Sequence, residues 1–287
     1  RNRLKMGRVR PTHHPGTVRS SEWCVGRTLL PQLSFWIFTM TNWGVELNNV
    51  TANWGQPARN ILENLTFKLE IPKTAMMFPL MGPSGQGKST LLYLLAALKW
   101  PTDGTIRWTF PNGKVFAWGA RGQMIQPYSS NDAVTLRRSY FGFAFQSSTL
   151  SPYLTVLENV AYPLTLQGTE WFEALDTAEL MLNEVLLPNE KAEEQKRLAF
   201  LHGFHTQLSG GQRQRVALAQ AMVHDPYVLF ADEPTGQLDL HTRRQVMTVL
   251  RRWVEKNPGQ RCLIWVTHHH LGDLDLMGIE HLIFVNN

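Results

Sequence analysis

The chain has 287 residues, 43% of them apolar and 18% charged, enough to bury a sizeable core and too apolar for disorder. A net charge of +5 invites a nucleic-acid or membrane-surface role, but residues 1–39 hold seven Lys/Arg against the single acid Glu22. That segment carries +6, the rest of the chain −1, and two cysteines (Cys24, Cys262) exclude a disulfide framework.

Residues 1–42 show no sustained period, contain Pro11, Pro15, Gly16 and Pro31, and read as a basic, poorly ordered extension. Their most apolar part, residues 29–40, falls short of the roughly 18 residues that span a bilayer. Met40 directly precedes the first strand-like segment and is read as the natural start. The alternative is a basic arm that touches anionic lipid. From Val45 to Val50 apolar and polar residues alternate as in a half-buried strand, and residues 61–71 continue the β pattern. Residues 75–81 (AMMFPLM) form a short apolar run suited to a strand buried on both faces. Pro79 cannot donate to a ladder, so a distorted strand end is expected there.

Gly82, Pro83, Ser84, Gly85, Gln86, Gly87, Lys88, Ser89 and Thr90 follow at once and fit G-x-x-x-x-G-K-[ST]. The glycines permit positive φ, so backbone N–H groups can close around phosphate oxygens. Lys88 supplies a point charge, Ser89 a hydroxyl for Mg²⁺, and the apolar helix over residues 90–98 points its N-terminus at the anion. The pattern predicts a nucleoside triphosphate site.

Residues 141–145 are strand-like. Residues 154–166 have helical spacing until Pro163, residues 171–187 form a longer amphipathic helix ended by Pro188, and residues 190–197 read as charged and exposed. Leu208, Ser209, Gly210, Gly211 and Gln212 precede another helix and form a second N–H-rich loop at a helix start, a second anion site. Residues 228–233 form a buried strand ending in Asp232 and Glu233. Beside the cradle, these acids are placed to hold Mg²⁺ through water and to polarise an attacking water, respectively. Three consecutive histidines, His268 to His270, point in different directions and lack the spacing of a zinc site.

LSGGQ ahead of an amphipathic helix, then a D-E-P strand end, resembles the ATP-binding cassette ATPases across residues 43–287. The resemblance implies an α/β P-loop NTPase with a RecA-like core (43–146 and 208–287) and a helical subdomain (147–207). It implies ATP and Mg²⁺ as cofactors and a head-to-tail pair, either a homodimer or two cassette subunits, sandwiching ATP between one cradle and the opposite signature loop. By the same resemblance Gln146 contacts Mg²⁺ and faces the transporter, Asp239 couples the two sites, and His268 is the switch histidine on the γ-phosphate. Trp54 matches the aromatic that stacks on adenine, with ordinary packing as the alternative reading. Gln220 stands where the family has an arginine, a departure that weakens a structural ion pair. The segment from Ala231 to Asp239 (ADEPTGQLD) and Thr155 to Val160 (TVLENV) resemble the lipoprotein-release, macrolide-export and cell-division branch. The expected role is an ATP-hydrolysing subunit on the cytoplasmic face of the membrane, bound to an integral permease-type partner. The alternative is a soluble cassette ATPase acting on nucleic acid or ribosomes. The charge of −1 outside the tail, a single cassette and the lack of a heptad run or Cys cluster argue for the first, with no nucleic acid expected as a partner.

Overall fold

The computed structural model describes residues 3–8, 43–54, 59–72, 76–120, 125, 130–145, 150–191, 193–236, 238–267, 274, 277–279 and 281–286. In chain order it runs β1 (Arg3–Arg8), β2 (Trp43–Trp54), β3 (Arg59–Ile71), β4 (Met77–Met81), α1 (Lys88–Leu95), β5 (Asp103–Thr109) and β6 (Val115–Gly119). There follow α2 (Ser130–Thr135), continued by a π-helical turn Leu136–Tyr140, then β7 (Phe141–Ala144), α3 (Val156–Leu166), α4 (Trp171–Val185), α5 (Pro188–Lys191) and α6 (Glu194–Leu201). The last elements are α7 (Gly210–Met222), β8 (Val228–Asp232), α8 (Leu240–Lys256), β9 (Cys262–Val266) and β10 (His281–Asn286).

The core sheet has the order β1-β10-β4-β9-β8-β7, and every pair except β1–β10 is parallel. Its central strands are short apolar runs because helices cover both faces of a parallel sheet; β8 and β9 are buried at every residue. Leu80 of β4 and Asp232 of β8 both align with Val266 of β9. The carboxyl ends of three strands therefore meet at one edge, where open α/β sheets place their ligands.

Two expectations are corrected here. Arg3–Arg8 is a strand, not part of an unstructured extension; it pairs with β10 from Arg3–Asn286 to Arg8–His281 and satisfies the backbone of that sheet edge. Residues 9–42, Met40 included, lie outside the described residues. Pro79 sits in the middle of β4, not at a distorted end. The carbonyls of Met76 and Leu80 accept from Leu263 and Thr267 on the β9 side. Pro79 faces the other way, towards β10, whose pairing with β4 begins only at Leu80. Its missing N–H costs no ladder bond.

A second, antiparallel sheet, β3-β2-β5-β6, lies within the segment assigned to the core. Trp108 of β5 joins the two sheets. It is fully buried, donates from Nε1 to the Leu95 carbonyl of α1 at 2.9 Å, and meets Phe141 and Phe230 edge-on at 5.6 and 6.3 Å.

Helices α3 and α4 pack on each other and both pack on α7, which also rests on β7 and α8. Thr155 starts α3 with a capping box closed by Glu158. Helix α3 does not stop at Pro163; it runs on to Leu166. Proline removes the donor that the Asn159 carbonyl, four residues earlier, would otherwise receive. Gln220 of α7 supplies it instead, with Nε2 at 2.9 Å from that oxygen. The departure from arginine at position 220 thus puts a neutral donor where a proline has freed an acceptor. Gln220→Ala is expected to cost about 1–2 kcal/mol in urea unfolding. In a Pro163→Ala background, where the substituted alanine restores the N–H, the same change should cost clearly less.

Candidate nucleotide site

The cradle is built by the turn from β4 into α1. Gly82 has φ +141°, and a Cβ there would meet the Val285 carbonyl of β10 at 2.2 Å, so only glycine lets the loop leave the sheet this way. Helix α1 begins after Gly87, which has φ +89°, has no side-chain cap and carries no acid in its first turn. Its first N–H groups have no intrahelical acceptor and face the loop side, which is the arrangement an anion fills. Lys88 is 5% exposed, and its ammonium donates to the carbonyls of Gly82 and Pro83 at 2.9 and 2.8 Å. Burial pushes it below its ordinary pKa, an effect that the Glu233 and Asp232 carboxylates oppose.

Asp232 closes the site from the other strand. Its Oδ1 accepts from the Ser89 hydroxyl at 3.0 Å and its Oδ2 from the Tyr93 hydroxyl at 2.6 Å. Burial, then the bond to Asp232, raises the Tyr93 pKa well above the ordinary phenol value, so the phenol remains a donor. Glu233 follows with φ +49°, a left-handed backbone held by a bond from the Gly236 N–H to its carbonyl at 3.1 Å. A Cβ on Gly236 would lie 3.3 Å from Glu233 Oε2, so the side chain turns back over the glycine. Ser84, Gly85, Lys88, Thr90, Tyr93 and Glu233 line one cleft of about 290 Å³. The donor set of a hydroxyl and a carboxylate suits a hard divalent cation, which keeps waters and phosphate oxygens as its other ligands.

The signature loop is built differently. Ser209 caps α7 by accepting from the Gln212 N–H at 3.2 Å, and Gln212 Oε1 accepts from the Ser209 N–H at 2.9 Å. That box leaves the amides of Gly210 and Gly211 as the helix-start donors. A Cβ on Gly211 would fall 2.3 Å from Thr242 Cγ2 of α8, so the loop abuts the first turn of that helix. Asp239 caps the same turn, accepting from the N–H groups of His241 and Thr242 and from the Thr242 hydroxyl at 2.6 Å. Those bonds hold its carboxyl below the usual carboxylate range. Ser209, Gly210, Gly211, Gln212 and Asp239 therefore form a second cluster in the same chain; none of them lines the cradle cleft. Trp54 is the last residue of β2, paired with Arg59, not part of a loop. Gln146 and His268 lie outside the described residues.

Sequence reasoning missed two participants. Tyr93 is one: it follows Ser89 by four residues on α1, a spacing that places both on one face. Glu190 is the other. Far from being solvated, it accepts from Arg215 at 2.6 Å and from Gln212 Nε2 at 3.0 Å. The Arg215 side chain is 5% exposed, and the pair ties the start of α7 to α5.

A family model described as "ABC transporter" matches residues 62–236. The chain belongs to the ABC transporter family. It is accordingly an ATP-binding, ATP-hydrolysing cassette of the α/β P-loop class. It is 36% identical over 226 residues to an uncharacterized ABC transporter ATP-binding protein of Methanocaldococcus jannaschii, covering 78% of this chain and 88% of that one. It is likewise 36% identical to the lipoprotein-releasing system ATP-binding protein LolD of Aquifex aeolicus, over 66% of this chain and 73% of LolD. That match agrees with the branch read from residues 231–239. Among solved structures, the cassette MJ0796, captured as a dimer in a post-hydrolysis state with ADP and Pi, superposes with a TM-score of 0.63 at 30% identity, covering 84% of this chain and 94% of that one.

Glu190→Ala in this cassette leaves the buried Arg215 guanidinium without its carboxylate. The expected loss is about 3 kcal/mol in urea unfolding.

Proposed function

We propose that this ABC ATPase works as one half of a head-to-tail pair, with ATP and Mg²⁺ held between its cradle and a partner's signature loop. One observation carries the reading: a chain in which the uncapped N-terminus of α1, Lys88 and Ser89 share one cleft, with Asp232 bonded to Ser89, while Ser209–Gln212 and Asp239 form a separate cluster away from it. Two such chains related by a two-fold axis complete each other's sites.

Within one site the residues have distinct tasks. The N–H groups of the loop from Gly82 to Thr90 and the Lys88 ammonium hold the phosphates. Ser89 and Asp232 are the groups that would hold Mg²⁺, which when bound neutralises charge on the β- and γ-phosphates. Glu233, set at the cleft by its left-handed backbone, accepts a proton from the attacking water. Gln146 and His268 are assigned to sensing the γ-phosphate, Asp239 to coupling the two sites and Trp54 to stacking on adenine.

The work is delivered to an integral membrane partner at the cytoplasmic face. Among the described residues no helix is long and apolar enough to cross a membrane. A groove of about 380 Å³ between the core and the helical unit offers a docking surface, walled by Phe143, Phe145, Pro163 and Leu166 with Arg137 and Arg138 at its side. LolD, a relative, is part of a lipoprotein-releasing system by name, and a related task on a membrane machine suits this chain.

Glu233→Gln with excess ATP should trap a dimer by size-exclusion chromatography while turnover falls by about 100-fold or more. A variant that stays monomeric and keeps wild-type turnover would remove Glu233 from this role. Trp54→Ala should raise the KM for ATP several-fold with little change in kcat; an unchanged KM would return Trp54 to packing.

A further inference from the structure

We propose that Tyr93 is a positioning residue which orients Asp232 for the metal that arrives with the nucleotide, and that its ring makes this orientation answer to the partner groove. The inference rests on the nucleotide reading above and adds to it a residue and a route that the cassette motifs do not contain.

The geometry has two halves. The first is a clamp. Ser89 and Tyr93 lie one turn apart on α1 and hold different oxygens of the same carboxylate, Oδ1 at 3.0 Å and Oδ2 at 2.6 Å. A carboxylate held at one oxygen still rotates about its Cβ–Cγ bond; held at both, it has a single orientation. Ser89 can donate its proton to Asp232 and keep lone pairs for the cation, whereas Tyr93 holds the other oxygen of the carboxylate. Tyr93 thus fixes, together with Ser89, the orientation in which Asp232 would face an arriving metal.

The second half is a short aromatic row. The Tyr93 ring meets Phe145 at 6.5 Å between centroids, tilted by 56°, and Phe145 stacks on Phe143 at 6.2 Å and 11°. Tyr93 lines the nucleotide cleft, and Phe143 and Phe145 wall the groove. One ring contact therefore separates the two cavities. A helix pressed into the groove against Phe145 moves the surface on which the Tyr93 ring rests, and the hydroxyl at the far end of that ring holds Asp232. The row is an unbroken series of ring contacts from the groove to the residue that holds Asp232.

The test is a double-mutant cycle read on metal affinity rather than turnover. Mn²⁺ binding to the ADP complex is measured by electron paramagnetic resonance for the wild type, Tyr93→Phe, Phe145→Ala and the double variant, and ADP affinity is measured separately in EDTA. Tyr93→Phe keeps the ring and should raise the Mn²⁺ Kd about tenfold, as expected for losing a hydrogen bond to a charged group. Phe145→Ala should raise it about threefold, and in the Tyr93→Phe background it should add nothing, because no hydroxyl remains to be misplaced. ADP affinity in EDTA should stay within about twofold throughout, which also shows that the variants are folded. An unchanged Mn²⁺ Kd in Tyr93→Phe overturns the positioning role, and fully additive effects in the double variant overturn the route through Phe145. Failure of the wild type to bind ADP with Mn²⁺ would instead overturn the nucleotide reading on which this one stands.

Discussion

The bond from the Ser89 hydroxyl to Asp232 joins residues 143 positions apart and holds the chemistry of the molecule in one place. It forms because β4 and β8 flank β9 in a parallel sheet whose register brings their carboxyl ends level. A slip of one residue in the β8–β9 ladder would turn Asp232 to the other face and leave the cradle without its carboxylate. The buried apolar strands resist that slip, since each side chain would have to leave its own packing.

Around that bond the fold uses backbone groups where a less constrained surface would use side chains. The cradle presents the amides of an uncapped helix end to its cleft, whereas the signature helix satisfies one of its amides with its own capping box. The difference follows from the residues at each start. Gly87 has no side chain to cap α1, and Ser209 with Gln212 caps α7. The same economy appears at Pro163, where Gln220 of another helix serves the carbonyl that proline has left without a donor. Helix α7 thus touches the helical unit, the core sheet and, through Arg215 and Glu190, the short helix beside the signature.

Much of the fold was legible because its signals are local. The glycines and lysine of the cradle, the apolar runs ending at Met81 and Asp232, and the glycine-rich helix start after Leu208 each fit within about ten residues. Periodicity placed α3 and α4 for the same reason. What failed to show was whatever depends on a distant partner. Arg3–Arg8 alternates polar and apolar residues only as far as Met6, too short a run to stand out inside a basic, proline-containing segment, and its place as a strand is set by pairing with β10. Glu190, within a charged stretch, looked solvated until Arg215 was found beside it. Proline at 163 looked like a helix end because its remedy, Gln220, lies 57 residues later.

By itself the sequence determined that this chain holds nucleotide phosphate and belongs to the cassette ATPases, since those functions rest on contiguous loops whose chemistry is written in residue order. Only the tertiary structure decided which carboxylate oxygen each of Ser89 and Tyr93 holds, that the signature and Asp239 cluster away from the cradle, and that one aromatic contact divides the cleft from the groove. Those features arise where strand register and helix packing bring together side chains that are far apart in the chain, and no local pattern encodes such a meeting.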